Sequence, residues 1–282
     1  MKTISILFLA VSCLCITSCK FNINYPGEIE GEGEVISERF DLKSFNNLEL
    51  ERGWEVTIIP SSTNYMLVEA NENLFESLEF ETVSGTLKIG ASESIGKADA
   101  KLITLYFSEN LERLEVSSGV KLTSTEDLRF ENLIMELSSG SNVELSLELE
   151  SLNLQTSSGS SASLNLNLED LSVQSSSGSL VSIDAISITT TASASSGSSI
   201  TLRGETNQLD VNSSSGSSIN SKNFEANSIV VKASSGSSIS IYPLERLEAN
   251  SSSGGSISYY NTPSENLIVN ESNSGGSIKL KR

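Results

Sequence analysis

The second half of the chain alternates hydrophobic and polar residues in short runs, and a serine-glycine turn separates each run from the next. Alternation with a period of two is typical of a β-strand that buries one face. The turns recur every 18 to 21 residues, at Gly119, Gly140, Gly159, Gly178, Gly197, Gly216, Gly236, Gly254 and Gly275. A repeat of this length predicts a solenoid in which each repeat forms one coil.

Alignment on these glycines places hydrophobic residues at equivalent positions of successive repeats. The third residue after the glycine is aliphatic in Val143, Ala162, Val181, Ile200, Ile219, Ile239, Ile257 and Ile278. The fifth residue after the glycine, and the seventh and fifth before it, are mostly aliphatic too. Parallel strands lie about 4.8 Å apart, so equivalent side chains of neighbouring coils would stack into buried columns. The sequence therefore predicts an all-β parallel solenoid with a regular part roughly 40 Å long.

A serine stands immediately before the glycine in all nine turns. Glycine tolerates the positive φ of a tight turn, and a small hydroxyl can bond backbone groups or the equivalent serine of the next coil. We interpret the serine-glycine unit as a corner of the coil. The alternative is that the serines form a glycosylated or ligand-binding row.

The same template extends upstream in a looser form. Hydrophobic residues flank Gly53 and Gly85, but these repeats are longer. The extra segments predict, in order, a strand, a helical turn and a polar loop: residues 66–70, 71–75 and 91–100. We expect residues 35–118 to form longer, decorated coils that cap the solenoid, and residues 119–282 to form its regular repeats.

The N-terminus has the features of an export signal. Residues 1–18 carry one early lysine, a hydrophobic run too short to span a bilayer, and small residues before a cysteine. Residues 16–19, Ile-Thr-Ser-Cys, resemble the bacterial lipobox, in which cleavage before the cysteine frees it to carry lipid. We predict that Cys19 is lipidated, that residues 19–34 form a tether, and that the exported protein is anchored to the outer membrane, facing the periplasm or the cell surface. Ordinary signal cleavage is the alternative.

Composition narrows the possible chemistry. The chain has no histidine, and its three cysteines, Cys13, Cys15 and Cys19, all precede residue 20. The predicted solenoid therefore lacks the commonest general base, the commonest zinc ligand and any thiol nucleophile. The formal charge of −18 repels phosphate backbones, so nucleic acid is not expected as a partner.

Parallel β-solenoids also carry polysaccharide-cleaving sites, which need grouped carboxylates, or calcium-binding aspartates near a basic residue. Asp170, Asp184 and Asp210 fall at different positions of their repeats, and no phosphate-binding glycine motif is present. We expect no metal site, no cofactor and no enzyme activity. A carbohydrate-active enzyme and a scaffold that self-associates through exposed strand edges are the alternatives.

One outward-facing column differs from its polar background. The sixth residue after the glycine is basic or aromatic in the last five repeats, and a further lysine lies on the final strand. Tyrosine rings on neighbouring coils, flanked by cations, could stack on a sugar and pair with an anionic group. We predict a ligand strip, with a glycan or a host or surface protein as partner, that consists of Arg203, Lys222, Tyr242, Tyr260, Lys279 and Lys281. The alternative is that these residues simply suit an exposed strand.

The order of features in the first half is similar to that of a known family. An entry strand ends at Phe40, a hairpin-like unit covers 48–58, and the segments VEAN (68–71) and GTLKI (85–89) precede the serine-glycine turns. In this order the chain resembles the bacterial lipoproteins called putative auto-transporter adhesins with a head GIN domain. The resemblance implies a right-handed parallel β-helix on an exported protein of Gram-negative bacteria, with adhesion as the function that the family name indicates and with no catalytic residues to carry over.

Overall fold

A computed structural model describes residues 27–271 and 274–281. Over these ranges it contains one helix, α1 (Glu72–Ser77), and 24 strands. The strands are β1 (Glu28–Ile29), β2 (Val35–Asp41), β3 (Asn47–Leu50), β4 (Glu55–Pro60), β5 (Tyr65–Asn71), β6 (Leu78–Val83), β7 (Thr86–Ala91), β8 (Ser94–Ile95), β9 (Lys101–Phe107), β10 (Arg113–Val116), β11 (Lys121–Ser124), β12 (Leu128–Arg129), β13 (Asn132–Leu137), β14 (Asn142–Glu148), β15 (Ser151–Thr156), β16 (Ser161–Asn167), β17 (Asp170–Ser175), β18 (Leu180–Ala194), β19 (Ser199–Ser213), β20 (Ser218–Ala233), β21 (Ser238–Ser251), β22 (Ser256–Tyr259), β23 (Asn266–Glu271) and β24 (Ser277–Leu280). Among the described residues, no helix is long and apolar enough to cross a membrane. The predicted signal peptide, residues 1–18, and Cys19 lie outside the described residues.

From β10 onward, the strands stack in parallel register as successive coils. The strands that precede the turns pair in the order β10–β13–β15–β17–β18, and those that follow the turns pair as β11–β14–β16–β18. We call these two columns of paired strands the two sheets of the solenoid. Each of the strands β18 to β21 contributes to both sheets, because one corner of its coil is a bend within the strand. The fold is a β-solenoid of about nine turns, which confirms the predicted fold class.

The serine-glycine corners are two-residue turns with positive φ at both central positions. In the first eight regular turns the serine has a φ of 48° to 54° and the glycine a φ of 72° to 76°. A Cβ on most of these glycines would meet nothing within 4 Å, so the backbone conformation, and not lack of space, requires glycine. Ser179 N–H closes one turn on Ser176 O at 3.1 Å, and Gly178 N–H reaches Ser196 O of the next coil at 3.2 Å. The first bond closes the turn, and the second joins the corner of one coil to the corner of the next.

The hydroxyl that bonds inside the corner belongs to the serine after the glycine. Ser198 is 1% exposed, and its Oγ lies 2.8 Å from the carbonyl oxygens of both Ser175 and Ser195. Ser217 makes the equivalent contacts one coil further, at 2.8 and 2.6 Å. The serine before the glycine, in contrast, is exposed in these turns. Buried hydroxyls need partners, and the stacked carbonyls of the corner provide them.

The hydrophobic columns pack as predicted. Ile200, Ile219 and Ile239 lie opposite one another in the parallel register and are at most 1% exposed. The same column extends from Val143, at 0% exposed, to Ile278, at 9%. Burial of one aliphatic side chain contributes roughly 1.5–3 kcal/mol, and each coil repeats this contribution.

The first coils do not follow chain order. The coil of β3 and β4 lies between two neighbours, with β10 and β11 on one side and β7 and β9 on the other. The chain thus forms its second coil first, then the outermost coil, and then crosses back to continue the stack. From the sequence alone, the Gly53 and Gly85 units are expected to be successive coils. The spacing of repeats carries no information about stacking order, so the sequence does not predict this crossing.

The outermost coil is covered by antiparallel strands and a helix. Ser84 and Gly85 have φ values of 51° and 80°, like the corners, but here they join β6 and β7 as an antiparallel hairpin. On the other sheet, β5 pairs antiparallel with β9, and β2 with β5. The helix α1 follows β5 and buries Leu74 completely. We call β2, β5, β6 and α1 the N-terminal cap; β5 and α1 are the strand and helical turn that the sequence predicts.

Part of the predicted tether is bound to the N-terminal cap and to β8. β1 pairs with β8, Asn71 Nδ2 donates to Gly33 O at 3.0 Å, and Asn73 Nδ2 donates to Glu30 O at 2.8 Å. The sequence offers few hydrophobic side chains here, but binding uses backbone carbonyls and amides, which any residue has. Residues 27–34 therefore belong to the folded body.

The last coil, made of β23 and β24, has no coil above it in the described residues. β23 pairs only with β21, and β24 only with β22, across the described part of the chain. Every residue of β23 is exposed.

Candidate functional site

A long groove runs along the outside of the solenoid, where the strand before each turn ends. It crosses seven coils, a distance of roughly 30 Å, and has a volume of about 430 Å³. Its walls include the residue two positions before each turn glycine, which is Glu51 in the first of these coils and serine in the other six, and the side chains four positions before it. The latter are Glu49, Glu115, Glu136, Gln155, Gln174, Ser193 and Asn212. We call this the turn-side groove.

The chemistry of the turn-side groove changes along its length. Four carboxylates line the end nearest the N-terminal cap, at Glu49, Glu51, Glu115 and Glu136. Amides and hydroxyls line the remainder, beginning with Gln155. A second cavity of about 470 Å³ continues the same column past Lys232 toward the last coil. The surface is therefore acidic at one end and neutral in the middle.

Basic side chains hold the acidic end in place. Arg113 Nε lies 2.5 Å from Glu115 Oε1, and its Nη2 lies 2.9 Å from Glu136 Oε1. The hydrogen bond to Glu115 is the largest cause that raises the pKa of the Arg113 guanidinium, which stays cationic. Lys88 Nζ lies 3.5 Å from Glu51 Oε1 and 3.9 Å from Glu49 Oε2. These groups are partly exposed, so the ion pairs orient the carboxylates more than they stabilise the fold.

The predicted ligand strip is divided by a bulge. Lys222 is exposed and lies in an insertion, between Ser221 and Glu225, where the register between β20 and β21 shifts. Tyr242 is consequently opposite Glu225 and not Lys222. Arg203 lies on the other side of the bulge, with its Nη1 3.6 Å from the Asp184 carboxylate. The column that carries the tyrosines therefore does not include Arg203 or Lys222.

Three members of the strip do share one column. β21, β22 and β24 pair in register, so Tyr242, Tyr260 and Lys281 follow equivalent positions of three neighbouring coils. Tyr260 and Lys281 are exposed, and Tyr242 is half-buried. The described residues contain three pairs of aromatic rings in contact, and the rings of Tyr242 and Tyr260 are not among them. Lys279 is exposed two residues earlier on β24. Ligand binding by these residues stays a prediction.

Reasoning from the sequence misses the turn-side groove. The fourth residue before the glycine is polar in every regular repeat, from Glu115 to Glu271, and the alignment shows this column directly. Polarity alone indicates only a solvated face. The concave shape arises where the strand bends into the corner, and that bend is a property of the folded coil.

The described residues contain no group of three or more Cys, Asp or Glu side chains that could hold a metal ion. Glu109, in the loop after β9, is the carboxyl group of this part of the chain whose pKa is shifted. Burial acts to raise that pKa, but hydrogen bonds, chiefly from Asn64 Nδ2 at 2.8 Å, lower it below the ordinary value. Glu109 does not line the turn-side groove.

Solved structures of bacterial proteins share this fold. A putative adhesin from Parabacteroides merdae is 16% identical, with a TM-score of 0.67 over 91% of this chain and 100% of that chain. A putative lipid binding protein from Parabacteroides distasonis is 18% identical, with a TM-score of 0.68 over 90% of this chain and 100% of that chain. A putative adhesin from the same species is 16% identical, with a TM-score of 0.63 over 90% and 100%. At these identities the likeness shows the fold alone. Among curated proteins, none matches this sequence.

One protein family matches most of the solenoid, at residues 44–193 and 165–263. The matched segments cover well over half of the chain, and they include the 48–58 unit and the segments 68–71 and 85–89 on which the resemblance depends. The family description is that of an adhesin, a binding protein associated with the cell surface. The chain belongs to the family described as putative auto-transporter adhesin, head GIN domain.

Proposed function

We propose that the chain is an exported, lipid-anchored and non-catalytic binding module whose turn-side groove holds an extended glycan. The groove carries this proposal, because it is an open, polar channel that crosses seven coils. Membership of an adhesin family supports binding at a cell surface. Nothing in the groove requires a chemical step.

The shape of the groove suits a linear polymer. Successive coils present equivalent side chains about every 4.8 Å along a length of roughly 30 Å. A polymer with repeating units can contact several of these side chains at once. Contacts that are weak one by one then add up to a useful affinity.

The lining of the groove suits sugar hydroxyls. Gln155 and Gln174 are exposed on neighbouring coils and directly opposite in the register. A side-chain amide both donates and accepts hydrogen bonds, and serine hydroxyls do the same, so the neutral stretch can match either partner of a sugar hydroxyl. The acidic end and the net charge of −18 disfavour polyanions in this groove. We therefore expect a neutral glycan.

Lipid is a less suitable occupant of the groove. One structural neighbour is described as a putative lipid binding protein. Acyl chains bind in clefts lined mainly by apolar side chains, whereas carboxylates, amides and hydroxyls line the turn-side groove. We propose a lipid only as a covalent anchor on Cys19.

The groove can be tested with matched pairs of substitutions. Gln155→Ala with Gln174→Ala removes two outward amides from the groove, and Asn165→Ala with Asn167→Ala removes two outward amides from β16 on the other sheet. Residues 20–282, which include every described strand, are applied to an array of neutral and anionic oligosaccharides, and hits are measured by calorimetry. Each lost hydrogen bond costs about 0.5–1.5 kcal/mol, so the groove pair should weaken binding about tenfold. Unchanged binding by the groove pair, or an equal loss in the β16 pair, would contradict the proposal.

A second glycan-binding surface is supported by the column of Tyr242, Tyr260 and Lys281. Tyr260 is 37% exposed and Lys281 supplies a nearby cation, which suits an acidic sugar. Tyr242→Ala with Tyr260→Ala should abolish binding of anionic oligosaccharides and leave neutral ones bound. If neither class is affected, this surface has no role in binding.

The anchor is tested separately, in cells supplied with labelled palmitate. The unaltered chain should take up the label, and Cys19→Ser should not. Ordinary signal cleavage would leave both chains unlabelled.

A further inference from the structure

The last coil exposes residues that the preceding coil buries. Leu267 and Val269 pair in register with Leu247 and Ala249, which are 2% and 0% exposed. Leu267 and Val269 are nevertheless 42% and 40% exposed, and Leu280 on β24 is 42% exposed. The hydrophobic interior of the solenoid therefore reaches the surface at this end.

The strand edges at this end are also open. Within the described residues, β23 and β24 each pair with a strand on one side only, and one outer backbone group of β24, the Ile278 N–H, donates to Glu271 Oε1. The remaining edge positions have no neighbouring strand in this part of the chain. The unpaired N–H and C=O groups of such an edge can pair with another strand. The sequence of β23 is NLIVNE, which carries no charge before its last residue, Glu271. A flat, apolar edge of this kind favours association.

The N-terminal cap protects its edges. β2 and β6 also pair on one side only, but β2 carries Glu38 and Asp41, and β6 carries Glu79 and Glu81. Charges on edge strands discourage pairing. Beneath these edges the interior is closed, with Leu74 completely buried. Val35, Phe80 and Val83 are exposed on these two strands, but they stand among carboxylates and not on an uncharged edge. The cap therefore matches the last coil less well than a second last coil does.

We propose that a second copy of the chain covers the last coil, with the two solenoids joined end to end about a two-fold axis. A second last coil has the shape that is needed to extend both sheets and to cover the exposed hydrophobic interior. A two-fold contact buries the same surface on both copies and closes after two. The edge strands of the two copies then run antiparallel, and the hydrophobic interiors meet across the junction.

Charge selects one of two such arrangements. If β23 met its own counterpart, Glu265 of one copy would lie beside Glu271 of the other, and β24 would meet a second β24, which has no carboxylate to pair with Lys281. If β23 meets β24 of the second copy, Lys281 of one copy comes beside Glu265 of the other. Glu265 lies 2.8 Å from Arg246 Nη1, and its side chain is 56% exposed, so it has room for a second cation. We therefore assign the pairing of β23 with β24 of the second copy.

The junction is small. The two sheets of a coil lie about 10 Å apart, and strands of four to six residues are about 13–20 Å long, so the buried area falls below the roughly 800 Å² per partner of a standard interface. We expect a dimer that forms in the micromolar range. Because the tether and the last coil are at opposite ends of the solenoid, the junction would join copies anchored in two facing membranes, a consequence that rests on the proposed anchor.

Sedimentation velocity of residues 20–282, from low to high micromolar concentration, tests the junction. We expect monomer and dimer and no larger species. Val269→Lys should weaken association at least tenfold, because it places a charge in the shared interior. The matched control is Ile186→Lys, at a side chain that is 57% exposed on the flank of the solenoid, which should leave association unchanged. Circular dichroism verifies that each variant is folded.

A charge exchange tests the arrangement of the two copies. Lys281→Glu and Glu265→Lys should each weaken the dimer, and the two together should restore it. A monomer at every concentration, equal effects of Val269→Lys and Ile186→Lys, or open-ended assembly beyond a dimer would each overturn the proposal. Failure of the charge exchange to restore the dimer would overturn the pairing of β23 with β24.

Discussion

The two ends of the solenoid are completed in opposite ways. At the first end, the chain reverses direction and adds antiparallel strands and α1, so that Trp54 and Leu74 are 1% and 0% exposed. At the last end, β23 and β24 continue the repeat, no element of the described residues covers them, and Leu267 and Leu280 are both 42% exposed. The comparison teaches that the repeat specifies how one coil stacks on the next but not how a stack ends. A closed end needs sequence that departs from the repeat.

This difference has consequences for stability. An interior coil gains from contacts with two neighbours, whereas the last coil has one among the residues that the structure describes. The outermost coil of the first end gains its second neighbour from the cap. Local unfolding should therefore start at β23 and β24. Substitutions at the two ends should have unequal effects.

The largest expected difference is between Leu74→Ala and Leu267→Ala. Removal of a completely buried leucine side chain leaves a cavity and costs about 2–5 kcal/mol. The same change at an exposed leucine should cost less than about 1 kcal/mol. Urea denaturation of residues 20–282, followed by circular dichroism, measures both values. Equal losses would show that the open end is as well packed as the cap.

A smaller effect is expected at the tryptophan beneath the cap. Trp54 Nε1–H donates to Gly90 O at 2.9 Å and so links the second coil to the outermost coil. Trp54→Phe leaves this buried carbonyl without its donor, and we expect a loss of about 1–3 kcal/mol in urea denaturation. The matched change at the last coils, Tyr259→Phe, removes a hydroxyl from a half-buried ring and should change stability by less than about 0.5 kcal/mol. A larger loss at Tyr259 would reverse the comparison.

The smallest effect is a pH dependence at the capped end. Burial acts to raise the pKa of Glu109, but hydrogen bonds from Asn64, Ser44 and Ser108 outweigh it and lower the pKa. Because the pKa is lower in the folded than in the unfolded chain, the carboxylate stabilises the fold above the ordinary carboxyl pKa, and this contribution is lost as the pH falls through the folded value.

We therefore expect Glu109→Gln to lower the urea midpoint slightly at neutral pH. At a pH below the folded pKa, the variant and the unaltered chain should have the same midpoint. A difference that does not change with pH would mean that Glu109 acts by packing and not by charge.

The sequence predicts the regular coils well, since the contacts there are local to the repeat. Alignment on the glycines identifies the buried column of Ile200, Ile219 and Ile239 and the serine-glycine corners. It does not identify the bulge at Lys222, because an insertion of a few residues can be absorbed at either corner of a coil. For the same reason the predicted ligand strip is split, and Tyr242 meets Glu225.

The turn-side groove could be predicted only in part. Its polar column, including Gln155 and Gln174, is visible in the alignment. The depth of the groove depends on how the strand bends into the corner. This bend cannot be predicted from the sequence pattern. The stacking order of the first coils is hidden in the same way, since the Gly85 turn has the φ values of a corner but joins a hairpin.

The sequence by itself determined the solenoid, its coil length, its hydrophobic columns and its serine-glycine corners, because each depends on alternation and on backbone conformations that a few residue types permit. The tertiary structure alone decided the order of the first coils, the closure of one end and the exposure of the other, and the groove along the turns. These features depend on which surfaces meet in space, and a stack of equivalent coils can be ended or bent in several ways without a change in its repeat.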